Sequence, residues 1–161
     1  QPNQLFNVSF SQNAMFGNQS PSGDPVSIGT AWLYSQFAAG TLVGLTAGNV
    51  ASPYNYNYGY ATRVQSAGQL QDVIWWLEDE PVGAADPGNG NVFRNAVLNQ
   101  FGSEAAARAN ANGAYGVMAL NLGQSGIVQD QLVIVPLVPE PTTTALIVTG
   151  SMILLAARRR R

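Results

Sequence analysis

Asp72, Glu78, Asp79 and Glu80 are the densest set of groups in this chain that could move protons or hold a cation. Paired carboxylates hydrolyse glycosides when they flank the bond, and converging ones bind calcium. The spacing argues against both. Glu78 to Glu80 are consecutive at the end of a helical pattern, where neighbouring side chains point apart. No Asp-x-Asp-x-Asp-Gly loop is present. The cluster reads as a solvated helix terminus in a chain with few charges. Other catalytic groups are missing, because the sequence has no Cys and no His. That removes disulfides, a thiolate nucleophile, a zinc cluster and an imidazole base. No serine sits in a Gly-x-Ser-x-Gly elbow. No enzyme activity, metal or cofactor is expected.

A second set is suited to binding. The stretch SPYNYNYGY places Tyr54, Tyr56 and Tyr58 at every second position. Tyrosine offers an apolar face with a polar tip, so the stretch reads either as a stacking platform for sugar rings or as an ordinary polar surface loop.

Composition limits the partners. The 161 residues suffice for one domain plus an appendage, and 46% hydrophobic residues allow a real core. Only 10% are charged, well under the usual ~25%, so Asn, Gln, Ser, Thr and Tyr must supply the polar surface. Before Val138 there are eight acids against Arg63, Arg94 and Arg108, with no Lys. That excess of acid excludes nucleic acid as a partner of the body.

The elements that must position these groups follow from periodicity. In LFNVSF, Phe6, Val8 and Phe10 alternate with polar residues and predict a half-buried strand. Asp24-Pro25 predicts a helix start, with Gly40 as its C-terminal stop. On that helix Ile28, Ala31, Trp32, Ser35 and Ala39 share one face, with Leu33 and Phe37 at its edge. Leu70, Val73, Ile74 and Leu77 recur at helical spacing, and Trp75 and Trp76 widen the apolar surface, predicting a central helix that Pro81 stops. Asn91 predicts a cap for a third helix ending at Gly102. Ser103-Glu104 opens an alanine-rich helix ending at Gly113. Ala114 to Leu122 and Ile127 to Val135 predict a hairpin across the GQSG turn. The expected fold is α+β: a small antiparallel sheet, made of the N-terminal strand and the C-terminal hairpin, packed with three or four helices.

The last residues form a different kind of segment. Pro136, Pro139 and Pro141 predict an extended, exposed peptide. Ala145 to Ala157 is apolar except for Thr149, Gly150 and Ser151. As a helix it would span about 20 Å, short of the ~30 Å hydrocarbon core. Its Leu, Ile and Val residues favour insertion by roughly 2–4 kcal/mol before the polar residues offset part of it. Arg158, Arg159, Arg160 and Arg161 resist translocation and hold that end in the cytoplasm. The domain expectation is a globular body over 1–136 and a sorting segment with a transmembrane helix over 137–161.

This tail resembles the PEP-CTERM sorting signal of Gram-negative bacteria, which joins a Pro-Glu-Pro motif, a short transmembrane stretch and a terminal arginine cluster. Val138-Pro139-Glu140-Pro141 matches the motif, Ala145 to Ala157 the stretch, and Arg158 to Arg161 the cluster. The resemblance implies export, transient residence in the inner membrane, recognition by an exosortase, and release or transfer to the cell surface or biofilm matrix. The first residue is Gln1 rather than Met, which reads as a mature form or a fragment whose secretory signal has been removed.

The body resembles, more distantly, exported proteins related to thioester adhesin domains. The carriers are GTAWLYSQF, LQDVIWWLE, the Gly-Ala-Tyr-Gly-Val strand from Gly113 to Val117, and QDQLVIV. Their Gln-x-x-Ile/Val-Trp helix motif is similar to Gln71 to Trp75, and their thioester glutamine strand is similar to the segment with Gln129 and Gln131. The resemblance implies an internal Cys–Gln bond, yet a thioester needs a thiol and this chain has none. Covalent adhesion by the chain as it stands is excluded. Either a Cys-bearing strand precedes Gln1 or the domain is an inactive relative. Gln71 also reads as a helix-surface residue, and Gln129 and Gln131 as outward-facing strand residues. The expected function is a surface or matrix structural or adhesive protein. The alternative is a module binding extracellular polysaccharide.

Overall fold

The computed structural model describes residues 8–15, 22–44, 46–47, 50–51, 54–56, 61–80, 85–123 and 130–136. Along the chain it forms β1 (Ser9–Ser11), β2 (Asn13–Ala14), β3 (Asp24–Pro25), α1 (Ile28–Ala38) and a 3₁₀ turn (Thr41–Gly44). There follow β4 (Thr46–Ala47), β5 (Val50–Ala51), α2 (Ala61–Leu77), α3 (Val92–Phe101) and α4 (Glu104–Ala107). A second 3₁₀ turn (Ala114–Gly116), β6 (Val117–Asn121) and β7 (Gln131–Ile134) complete the order. The main sheet is antiparallel in the order β1-β6-β7. The expected α+β plan, with an N-terminal strand beside a C-terminal hairpin, is the fold observed.

The helices meet on one core. Leu33 of α1, Val73, Trp76 and Leu77 of α2, and Val92, Phe93 and Val97 of α3 are buried together. Each such side chain contributes about 1.5–3 kcal/mol by leaving water. Their approach is close at Gly29, where a Cβ would lie 3.0 Å from the Ala107 carbonyl oxygen and 3.1 Å from Leu77. A smaller apolar cluster (Val26, Ala31, Ala111, Val117 and Ala119) joins α1 to the sheet. Asn121 is buried there and ties β6 to β2: its carboxamide oxygen accepts from Met15 N at 2.8 Å, and its NH₂ donates to the Asn13 carbonyl. Buried amides persist only when satisfied in this way.

Several expectations are corrected. Asp24-Pro25 does not start α1 but pairs as β3 with Asn13–Ala14. The cap is Ser27, whose extended backbone lets its hydroxyl accept from Thr30 N. Leu33 is not at the helix edge but fully buried. The apolar residues of β1 face the other way from expectation: Val8 is 54% and Phe10 58% exposed. Ser9 and Ser11, not Phe10, lie opposite Asn121 and Ala119 on the face turned to the helices. Phe6 lies outside the described residues. The alanine-rich helix stops at Ala107, because the chain after Arg108 runs antiparallel to the entry of α1, with Ile28 N donating to Ala109 O and Ala111 N to Val26 O. The strand expected from Ala114 begins at Val117, since Tyr115 and Gly116 are left-handed (φ 59° and 67°). The strand expected from Ile127 is described only from Gln131 to Ile134. By contrast α3 follows its sequence signals: Asn91 caps Phe93 and Arg94, and Gly102 ends the helix with φ 78°.

Among the described residues no helix is long and apolar enough to cross a membrane. The expected sorting segment, with Val138, Pro139, Glu140, Pro141 and Arg158 to Arg161, lies outside them, as does Pro81.

Phe93→Ala should remove about 3–5 kcal/mol of unfolding free energy, whereas Val64→Ala, on the exposed side of α2, should stay within about 0.5 kcal/mol. Urea unfolding followed by tryptophan fluorescence checks both, and equal losses would reject the assigned core.

Candidate functional site

The chain leaves α2 through a turn that redirects its acids. Glu80 N donates to Trp75 O and Asp79 N to Trp76 O, with Asp79 left-handed at φ 55°. This is the double bond pattern that closes helices, usually with Gly at the left-handed position. Asp79 turns outward and pairs with Arg108. Glu78 and Glu80 both turn into a cleft, contrary to the expectation that the whole cluster is a solvated terminus.

The cleft holds about 460 Å³, within the range of small-molecule sites. Its apolar floor includes Val26, Leu70, Ile74 and Leu132, from the entry of α1, from α2 and from β7. Aromatic walls come from Tyr34, Phe37, Tyr54 and Trp75. Gln71 stands on the α2 side and Gln131 on the β7 side. Three sequence-selected residues (Gln71, Trp75 and Gln131) therefore meet at one cavity, while Gln129 lies outside the described residues.

The tyrosines are placed differently from either sequence reading. Tyr54 is only 4% exposed and packs with Phe37 (centroids 5.0 Å apart, edge to face) and Phe93. Tyr56 stacks on Phe37 and donates its hydroxyl to the Phe37 carbonyl. Tyr54 and Tyr56 pack against Phe37 rather than standing open as an exposed platform, with Tyr54 buried and Tyr56 half-buried. Tyr58 lies outside the described residues.

Acid dominates the electrostatics. Glu78 Oε1 accepts from Ser27 N at 3.1 Å and from Ser27 Oγ at 2.8 Å. Burial nevertheless raises its pKa above the ordinary carboxylate range, with Thr30, Ser27 and the Ser27 amide opposing and nearby Glu80 adding to the rise. Glu80 is also raised, by burial and then by Asp24. The buried Thr30 hydroxyl faces Glu78 and favours its charged form. Asp24 and Asp130 also line the cavity, and among the described residues no arginine does. Two arginines are committed elsewhere. Arg94 and Arg108 lie over the Trp76 ring at 5.6 Å and 5.5 Å, with Arg94 paired to Asp86 and Arg108 to Asp79 and Glu104.

Among the described residues no three acids converge tightly enough to hold a metal ion. The arrangement suits a larger polar ligand with an apolar face. Sequence reasoning passed over this site because a left-handed non-glycine residue carries little local signal.

The raised carboxyls set a pH dependence. Between their unfolded and folded pKa values the native state holds more protons, so their contribution is complete below the unfolded pKa and lost as pH rises through the folded one. Asp86, lowered by Arg94, acts in the opposite sense and only in stronger acid. The melting temperature should therefore rise on going from about pH 7 to about pH 5, and the Glu78→Gln, Glu80→Gln double variant should respond less. An identical response in wild type and variant would reject the assignment.

No protein-family model matches the sequence, and comparison with curated proteins and with solved structures finds no match either.

Proposed function

We propose that this chain is an exported surface or biofilm-matrix protein of structural or adhesive type, delivered by its C-terminal segment and processed by an exosortase. One observation carries this reading. A Pro-Glu-Pro motif, an apolar stretch too short to anchor firmly, and four arginines follow one another at the end of the sequence. Each part has a physical role. Proline excludes regular structure and leaves an extended peptide for a protease. The short apolar stretch holds the membrane weakly, and the arginines set its orientation. In this reading the body has no catalytic role.

A second reading, a module for extracellular polysaccharide, is favoured by the cleft. Aromatic walls beside amide and carboxylate groups are the mixture that sugar rings require, with apolar faces and hydroxyl edges.

Expression in a Gram-negative host with and without its exosortase tests the sorting reading. With the enzyme, the protein should lose the mass of its tail and leave the inner-membrane fraction. Replacing Arg158 to Arg161 by Ser should abolish both changes. Unchanged mass and full membrane retention with the enzyme present would reject it.

A further inference from the structure

Among the described residues the main sheet ends at β7, and that edge is open. Val135 N donates to the Gly116 carbonyl at 2.7 Å, which fixes the phase of the β6–β7 ladder. Hydrogen-bonded and non-hydrogen-bonded pairs alternate in an antiparallel ladder. Ile134 opposite Val117 and Leu132 opposite Ala119 therefore fall at the non-hydrogen-bonded positions. Their N–H and C=O groups point away from β6, and none has a hydrogen-bond partner among the described residues. Sheet edges are usually guarded by a charge, a proline or a bulge. β7 reads Gln-Leu-Val-Ile in unbroken register and has none of these.

The second observation is where the cleft lies. Leu132, on the sheet face packed against the helices, lines it, and so does Gln131, which alternation assigns to the opposite face. A cavity that touches both meets the strand along its edge. Among the described residues no member of β1 lines the cleft, so the other edge of the sheet lacks this neighbour.

Donors and acceptors repeating at every second residue, about 7 Å apart, match the backbone of another extended chain. We propose that β7 takes up an extended peptide of another protein as an added strand, with the peptide side chain opposite Leu132 entering the cleft. Leu70, Ile74, Trp75 and Tyr34 in the lining select an apolar or aromatic side chain there. Asp130 flanks the strand, and the body before Val138 has eight acids against three arginines, which disfavours an acidic peptide. A second copy of this chain fits less well. A four-residue edge falls far short of the ~800 Å² that each partner buries in a stable complex. The proposal goes beyond the sorting and sugar readings and depends on neither.

NMR of the full chain in nonionic detergent, titrated with the acetylated and amidated peptide Thr-Val-Thr-Phe-Thr, tests it. At saturation, hydrogen exchange of the Leu132 and Ile134 amides should slow by about tenfold or more. N-methylation of one alternate set of peptide amides should weaken binding by about tenfold or more, and of the other set by less than about threefold. Replacing the peptide's Phe by Glu should also weaken it by about tenfold or more. Ile134→Pro removes a free donor and no ladder bond, so it should keep the circular dichroism spectrum and lose the peptide. The methylated peptides serve alone if that variant fails to fold. Equal effects of the two methylated sets overturn strand addition, as do absence of binding or binding retained by folded Ile134→Pro. Leu132 and Ile134 amides already protected in the free monomer would show the edge filled by the chain itself. A dimer abolished by Ile134→Pro would show it filled by a second copy. Either result overturns the proposal.

Discussion

The Glu78 carboxylate holding Ser27 is the contact on which the arrangement of this domain depends. It joins the end of α2 to the start of α1, 51 residues earlier in the chain. One oxygen takes the Ser27 amide and hydroxyl protons, while the same hydroxyl accepts from Thr30 N. The negative charge lies at a helix N-terminus, where the aligned peptide dipoles favour it. The interaction offsets part of the cost of burying a carboxylate, and it leaves Glu78 facing the cleft. The extended segment after α4 pairs with the same entry to α1. Ser27 is thus the meeting point of three parts of the chain.

The distribution of charge follows from how few charges there are. Trp76 is buried at the centre of the helical core, and two of the body's three arginines lie against its ring. Each guanidinium lies over the ring and is paired with acid at its rim, so the charge is neutralised where it packs. These cations sit on the side of α2 that carries Trp76, and the cleft lies on the side that carries Ile74 and Trp75. The separation gives the cleft its acidic character without any residue devoted to repelling cations from it. A body with acid inside a ligand-sized cavity and little charge elsewhere is consistent with the proposed extracellular binding role, and the tail supplies the proposed route.

Much of this was legible locally. Asn91 and Gly102 bounded α3 because capping chemistry depends on a few adjacent residues. The spacing of Leu70, Val73 and Leu77 placed one face of α2 in the core. Gln71, Trp75 and Gln131 were singled out by resemblance, and the fold brings all three to one cavity. Other features were not legible. The alternation in β1 showed that Val8 and Phe10 share a face but not which face turns inward, because a strand's period of two is symmetric until a partner is chosen. The tyrosine stretch looked polar, yet Tyr54 fills a space against Phe37 and Phe93 that only the assembled helices create. The acids after α2 looked dispersed because their separation was judged on a continuing helix, and the left-handed Asp79 breaks that geometry.

What the sequence determined by itself was chemical inventory and local form: no thiol or imidazole, an acidic body, helix caps, the strand and helix periods, and the order of motifs in the tail. These depend on residue type and on neighbours a few positions away. Tertiary structure alone decided where the acids point, which sheet face is buried, and that Gln71 and Gln131 line the same cleft. Those outcomes depend on contacts between residues far apart in the chain, and no local pattern records which distant surfaces will meet.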